Sequence, residues 1–325
     1  MTTLADLAEL VRAPAALSVP GDVIAGAAAA GALSPRTPAL AGASVLLYWA
    51  GMAANDWADR RLDAEERPER PIPSGRVTPA AAVGLAAGLT AAGVGLAAAV
   101  GGRRAAALAV PLAATIWGYD LLAKNTAAGP AVMAACRGLD VLLGASGGRL
   151  TRALPAAATV AAHTWTVTAL SRREVTGADA TLPMRTLAGT ALVAASAAVA
   201  APGARRAAAR TADQAGVTDR AGATDRAGAV GEIGMSAGRR RAAGIAAALP
   251  AVLAGWYAAR YGAAQAQVVR DPSAGRVRAA VGAGITGLPA LQGALTARGG
   301  AGLLGVAVAA AAPLGRRLAR RVSPT

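Results

Sequence analysis

Three aspartates stand close together in the stretch Asn55-Asp56-Trp57-Ala58-Asp59-Arg60-Arg61-Leu62-Asp63. On an α-helix of 3.6 residues per turn, Asp56, Asp59 and Asp63 fall within about 60° of one another. Three carboxylates on one face repel, and ionisable groups near a membrane helix end are costly. A multivalent cation between them removes the repulsion. Magnesium takes carboxylate and phosphate oxygens, and it keeps waters or substrate phosphates as its other ligands. A carboxylate face beside an apolar cavity therefore suits a ligand with a lipid tail and a diphosphate head.

The next stretch, Glu65-Glu66-Arg67-Pro68-Glu69-Arg70-Pro71-Ile72-Pro73-Ser74-Gly75-Arg76-Val77, adds the complementary charge. Its prolines forbid a continuous helix, and its arginines can hold phosphate oxygens bidentately. Taken alone, the acids read as a solvated helix end and the arginines as a topology signal. Their order and proximity favour a joint site. A second polar group is Tyr119-Asp120-Leu121-Leu122-Ala123-Lys124-Asn125-Thr126, which holds the chain's sole lysine. Lys124 is a candidate point-charge partner for a diphosphate, whereas Asp120 and Asn125 also suit helix caps. Arg137 and Asp140, three residues apart inside an apolar run, can pair on one helical face. Charges inside a membrane are functional candidates by default. Asp22 and His163, also in apolar runs, read first as satisfied interior hydrogen-bonding groups.

The elements that must position these residues are apolar helices. Of 325 residues, 54% are apolar and 16% charged, against about 25% charged in average soluble domains. Nearly uncharged runs cover 13–33, 38–55, 79–102, 105–123, 126–147, 153–171, 183–204, 242–259, 279–297 and 299–315. A span needs roughly 17–25 apolar residues. The expectation is an all-α polytopic membrane bundle of about nine transmembrane helices, with the short final run at the interface. Abundant alanine and glycine let helix backbones approach closely in lipid. The whole of 1–325 reads as one transmembrane domain. Residues 205–241, which include three copies of a six-residue unit at 212–229 (ADQAGV, TDRAGA, TDRAGA), read as a flexible linker.

The net charge of +15 is gathered between the runs. Arginine-rich loops after the second, sixth and eighth runs place the N-terminus and the acidic motif on the cytoplasmic side of a multi-pass cell-membrane protein. The arginines form no face interleaved with aromatics, so nucleic acid is not an expected partner. Residues 1–12 carry Asp6 and Glu9 where a signal peptide would be basic. Cys136 is the only cysteine, so no intrachain disulfide forms. Phe is absent, Lys occurs once and Asn twice, a bias expected of a GC-rich bacterial genome.

The pattern N-D-x-x-D-x-x-x-D, followed by R-P-x-P-S-G-R-V, resembles the UbiA superfamily of intramembrane prenyltransferases. The first six runs fit that family's layout. The resemblance implies a bundle of about nine membrane helices that moves a prenyl group from a prenyl diphosphate to an aromatic or other small acceptor, with Mg2+ as cofactor. It implies that Asn55, Asp56, Asp59 and Asp63 form the first magnesium–diphosphate motif and that Arg70 lies in the basic loop. The family often has a tyrosine, a lysine and a threonine where this chain has Tyr119, Lys124 and Thr126. On this reading Asp56, Asp59, Asp63 and Lys124 are catalytic. Asn55, Arg70, Lys124, Arg137, Arg172 and Arg173 face the diphosphate.

The family's second acidic motif is altered to Ser171-Arg172-Arg173-Glu174-Val175-Thr176-Gly177-Ala178-Asp179. Glu174 is there the one expected metal ligand, and arginine charge stands where acids would be. The S-R-x-E-V-x-G form resembles a divergent UbiA-like branch found with ebo-type metabolic clusters. The altered motif leaves an alternative, a polyprenyl-phosphate binding or transport protein with weakened or lost catalysis. An alcohol phosphatidyltransferase would need a D-G-x-x-A-R type signature, which is absent from the sequence.

Overall fold

A computed structural model describes residues 2–13, 18–179, 181–199 and 229–311, the side chains of 229–243 excepted. Among these residues the secondary structure is helical, with no strand. In chain order the helices are α1 Leu4–Leu10, α2 Pro20–Ala30, α3 Thr37–Glu66, α4 Pro79–Gly118, α5 Gly129–Gly144, α6 Leu150–Ser171, α7 Thr181–Ala198, α8 Ala229–Arg270, α9 Ala274–Arg298 and α10 Gly302–Ala311. Within the described residues, each of the ten apolar runs meets a helix or a limb of one. Among the described residues, two helical stretches are by length and composition long and apolar enough to cross a membrane, Thr37–Glu66 and Pro79–Ala123. The other described helices are shorter, or carry glycine, threonine, arginine and other polar residues among their apolar ones.

Local sequence sets the boundaries. Proline opens α2, α3, α4 and α5, where its missing N–H costs nothing. The Thr78 hydroxyl accepts from the Ala81 N–H at 3.2 Å and caps α4. Gly31 ends α2 in the left-handed region, at φ 68°, the usual glycine stop. In α4 the chain reverses at Gly102 (φ 65°, ψ −159°). The proof is across the turn. Trp117 Nε1 donates to Thr90 Oγ1 at 3.1 Å, although those residues would lie about 40 Å apart on a straight helix. So α4 is a hairpin of two limbs, as the separate runs 79–102 and 105–123 require.

The expected linker falls in two parts. Residues 205–228 lie outside the described residues, but 229–241 are helical and lengthen α8. No proline interrupts 229–241, and helix propagation from the apolar run adds one hydrogen bond per residue.

Small residues bring the helix axes together. A Cβ on Gly26 would stand 1.8 Å from the Val141 carbonyl oxygen, and one on Gly144 would stand 2.0 Å from that of Val23. Thus α2 and α5 touch through their backbones. Gly293 of α9 and Gly305 of α10 make the same reciprocal contact. Leu40, Leu47, Ala97, Ala109 and Leu112 pack α3 against both limbs of α4. Tyr257, Tyr261, Leu288 and Leu291 join α8 and α9 to α6 and α7.

Loops alternate between the two ends of the bundle. Lys124 Nζ reaches Asp59 Oδ1 at 2.6 Å, and Arg172 donates to the Thr126 carbonyl. Arg278 donates to the Glu174 carbonyl at 2.8 Å, and the Ala178 N–H donates to the Pro272 carbonyl at 3.0 Å. These contacts gather the regions after the second, fourth, sixth and eighth runs at one end. At the other end, the Arg149 N–H meets the Ala30 carbonyl at 3.4 Å and Arg298 donates to the Ser196 carbonyl at 2.5 Å.

Candidate functional site

The acidic motif sits inside α3 rather than at its end. A crossing takes about 20 helical residues, so a helix that starts at Thr37 leaves the hydrocarbon near Asp56. The last ten residues then project as a helical post. Pro68 stops the helix from continuing, and the backbone turns back over the post through Ile72 and Val77, which pack near Ala53 and Ala54.

Each carboxylate of the motif has its own cation. Asp56 Oδ1 accepts from Arg12 Nη2 at 2.6 Å, with Arg70 Nη1 3.6 Å away. Asp63 Oδ2 accepts from Arg70 Nη1 at 2.6 Å. Asp59 is bound to Lys124 as described. The Asp56 and Asp63 side chains are 5% and 4% exposed, whereas Arg12 and Arg70 are 40% and 19% exposed, so desolvated carboxylates meet partly solvated cations. Asn55 faces the second polar group, where its Nδ2 donates to Asp120 Oδ1 at 3.1 Å. Asp120 is therefore no helix cap. It lies in the widened π-turn Tyr119–Ala123, which follows the second limb of α4 and directs Lys124 toward α3.

The structure thus gathers Asn55, Asp56, Asp59, Asp63, Arg70 and Lys124. It adds Arg12, which the sequence reading did not single out. Arg12 is the one non-glycine residue with positive φ (46°) among those described. Such strain persists where surrounding contacts enforce it. Here α1 is clamped by Arg76, whose Nη1 donates to Asp6 and to Glu9, each at 2.7 Å. The Thr3 hydroxyl and backbone N–H, and then Arg76, hold the Asp6 carboxyl down at about 2. The available sequence signal was an arginine placed just before the first span, ambiguous with an ordinary topology charge.

The other expected site residues lie on the α6–α7 loop and in α5. Arg172 crosses to the Thr126 carbonyl, which brings the α6–α7 loop against the Lys124 turn. Arg173 is exposed. Glu174 lies on the same loop and is half-buried. Burial raises its carboxyl, and Arg278 opposes that rise. Among the described residues no three acidic, histidine or cysteine side chains converge on a single metal-sized point. The carboxylates of the first motif each turn toward a cation instead, and Glu174 does not join them.

Arg137 does not pair with Asp140. Its Nε lies 2.7 Å from Asp22 Oδ2 and its Nη2 is 3.3 Å from the Ser18 carbonyl, while Asp140 accepts from the Ser44 hydroxyl. The close approach of α2 to α5 at Gly26 and Gly144 makes the interhelical partner available. Asp22 is satisfied as expected, also accepting from Gln292 Nε2 at 2.7 Å. His163 Nδ1 meets the Tyr257 hydroxyl at 2.8 Å.

Below the charged end lies a cavity of about 330 Å³, lined by Tyr48, Met52, Tyr119, Met133, Arg137 and His163 among others. Met52 and Tyr48 stand one and two turns before Asp56 on α3, and Tyr119 precedes Asp120. The cavity therefore runs from the charged residues into the apolar bundle.

In oxygen chemistry the donor set fits a hard divalent cation. Asp56, Asp59 and Asp63 share a face, and every cation now on them is a side chain that can exchange to a phosphate oxygen.

The comparisons with known proteins agree with this architecture. The model of the UbiA prenyltransferase family matches residues 18–201, and the chain belongs to that family of intramembrane enzymes. Among curated relatives, digeranylgeranylglyceryl phosphate synthase of Methanothrix thermoacetophila is 42% identical over 80 residues, 24% of this chain and 30% of the relative. The enzyme of the same name from Natronomonas pharaonis is 44% identical over 85 residues, 26% of this chain and 31% of the relative. The matches thus span less than a third of these relatives' length. Over the whole fold, a solved structure from work on digeranylgeranylglyceryl phosphate synthase in membranes superposes with a TM-score of 0.60. It is 13% identical, and the match covers 91% of this chain and 98% of that one. An apo UbiA homologue from Aeropyrum pernix K1 superposes at 0.52 with 18% identity, covering 89% and 96%.

Proposed function

We propose that this chain transfers a prenyl group from a prenyl diphosphate to a small acceptor within the membrane, at the end of the bundle that faces the cytoplasm. The observation that supports it best is the cluster of three carboxylates interleaved with Arg12, Arg70 and Lys124 above an apolar cavity. Asp56, Asp59 and Asp63 would hold Mg2+, which when bound supplies positive charge opposite the departing diphosphate. The protein's own part is electrostatic and positional.

Arg12, Arg70 and Lys124 leave their carboxylates for phosphate oxygens, so the leaving group meets preorganised cations as its charge grows. Asn55, anchored on Asp120, orients the α3 post. Arg172 closes the loop over the Lys124 turn. The prenyl chain lies along Met52 and Met133, where water is excluded. The electron-deficient allylic carbon is then taken by the acceptor's nucleophile.

The test uses purified protein, labelled geranylgeranyl diphosphate, an acceptor mixture extracted from membranes, and Mg2+. Magnesium-dependent pyrophosphate release with a prenylated product is expected, and Asp56→Asn and Asp59→Asn should abolish both. Magnesium-dependent donor binding without pyrophosphate release would instead establish the polyprenyl-phosphate carrier reading. The altered second acidic motif, where Glu174 stands beside Arg172 and Arg173, keeps that alternative in view.

A further inference from the structure

The transfer chemistry leaves one buried acid of the charged end without a part of its own. Asp120 is 6% exposed and lies in the widened π-turn Tyr119–Ala123. Turns of this kind are rare and often stand at functional sites. Gly51, one turn before Asn55 on α3, leaves room for the acid to approach. A Cβ there would stand 3.2 Å from Asp120 Oδ2 and 2.5 Å from the Ile116 side chain.

Two bonds of opposite polarity join the turn to α3. Lys124 Nζ donates to Asp59 Oδ1 at 2.6 Å, and Asn55 Nδ2 donates to Asp120 Oδ1 at 3.1 Å. Asn55 and Asp59 are one helical turn apart, so the two bonds are neighbours. A carboxylate only accepts hydrogen bonds, whereas an amide carries a donor end and an acceptor end. Asp120 therefore claims the Asn55 NH2 and leaves the carbonyl oxygen over. Asn55 Oδ1 has no hydrogen-bond partner among the described residues, and the side chain is half-buried.

The chemistry of that leftover atom restricts its partner. Phosphate oxygens are acceptors and need a donor, which Asn55 has already given to Asp120. Magnesium takes oxygen ligands, and an amide oxygen is one. An aspartate in place of Asn55 would also supply oxygen, but it would set two carboxylates against each other at the Asp120 contact. Asparagine satisfies the buried carboxylate on one side and offers a neutral oxygen on the other.

We propose that Asp120 is a positioning residue, which fixes the Asn55 amide so that its oxygen is offered to the metal beside Asp59. Asn55 then serves the metal and not the phosphate. This rests on the prenyl-transfer reading, which assigns Mg2+ to Asp56, Asp59 and Asp63. Asp120 acts from behind Asn55, as the outer partners of metal ligands commonly do.

The experiment measures Mn2+ binding to the purified full chain by electron paramagnetic resonance, with geranylgeranyl thiolodiphosphate present, at about pH 8, where carboxyl groups are ionised. Asp120→Ala should weaken Mn2+ binding about tenfold or more, the usual loss when the outer partner of a metal ligand is removed. Asn55→Ala should weaken it at least as much. The double substitution should cost no more than Asn55→Ala alone, because one residue acts through the other. Losses that multiply would overturn the proposal, since Asp120 would then act independently of Asn55. Asp120→Asn keeps the shape and a hydrogen-bond acceptor, so it should bind Mn2+ more tightly than Asn55→Ala; binding as weak as in Asn55→Ala would also overturn the proposal, even where Asp120→Ala fails to fold. Asp59→Asn should abolish Mn2+ binding that depends on the diphosphate analogue. Retention there would count against the magnesium–diphosphate assignment alone, and the Asp120 and Asn55 variants would still read the coupling between those two residues.

Discussion

Replacing Arg70 by methionine separates the two jobs that its guanidinium is given. In the structure it lies 2.6 Å from Asp63 and 3.6 Å from Asp56, its own side chain 19% exposed and the carboxylates 4–5%. Breaking a fully buried pair by removing one partner costs about 3–5 kcal/mol. Arg70 is partly solvated and Arg12 remains on Asp56, so about 2–3 kcal/mol is expected here. In metal-free buffer the variant should therefore melt several degrees below the parent protein. Added Mg2+ should restore more of that loss than it adds to the parent, because the freed carboxylates no longer hold a competing cation. Donor binding should change in the opposite sense. Loss of charge-assisted bonds to phosphate, worth about 1.5–3 kcal/mol, should weaken a non-hydrolysable prenyl thiolodiphosphate about 10- to 100-fold in the presence of Mg2+. Thermal melts with and without metal, and calorimetric titration of the analogue, read both effects. Equal rescue of variant and parent by Mg2+, or unchanged analogue affinity, would refute the partner-exchange reasoning.

Two further outcomes follow from packing and from charge. Gly144→Ala places a Cβ 2.0 Å from the Val23 carbonyl oxygen, against backbone that cannot swing away, so about 3 kcal/mol of destabilisation is expected. Gly84→Ala has open space at its Cβ and should be neutral or slightly stabilising; denaturant titrations of the two that agreed would show α2 and α5 to be loosely packed. The α1 clamp should depend on acid. The Asp6 carboxyl is depressed from an ordinary 3.8 to about 2, so its contribution is complete above the ordinary value and is lost as pH falls through about 2. Pepsin should therefore spare the 4–10 segment at pH 4 and cut it near pH 2, with Arg76→Gln moving the onset to higher pH; equal cleavage at both values would dismiss the clamp.

Much of the site was legible because it is local. The face shared by Asp56, Asp59 and Asp63 follows from helix periodicity alone, and the stop before Pro68 follows from proline's missing N–H. Asn55 and Arg70 were found through the resemblance to the UbiA pattern, and Lys124 as the sole lysine beside a polar group after the fourth run. Arg12 was not, since an arginine before a first span has an ordinary topological explanation. The pairing of Arg137 was misassigned for a related reason. Spacing of three residues made Asp140 the evident partner, whereas the α2–α5 contact supplied Asp22 from 115 residues away in sequence.

Composition and hydrophobic run length thus determined a helical membrane bundle, the order of its segments and the charged end that carries the acidic motif. These depend on the backbone's own hydrogen bonding and on transfer from water to hydrocarbon, which each segment satisfies largely by itself. Only the tertiary structure decided which cation meets which carboxylate, that Arg137 reaches Asp22 across α2 and α5, and that Tyr48 and Arg137 line one cavity. Those pairings depend on helix crossings fixed by glycine contacts between distant segments, where a change of one methyl group alters the separation of two backbones.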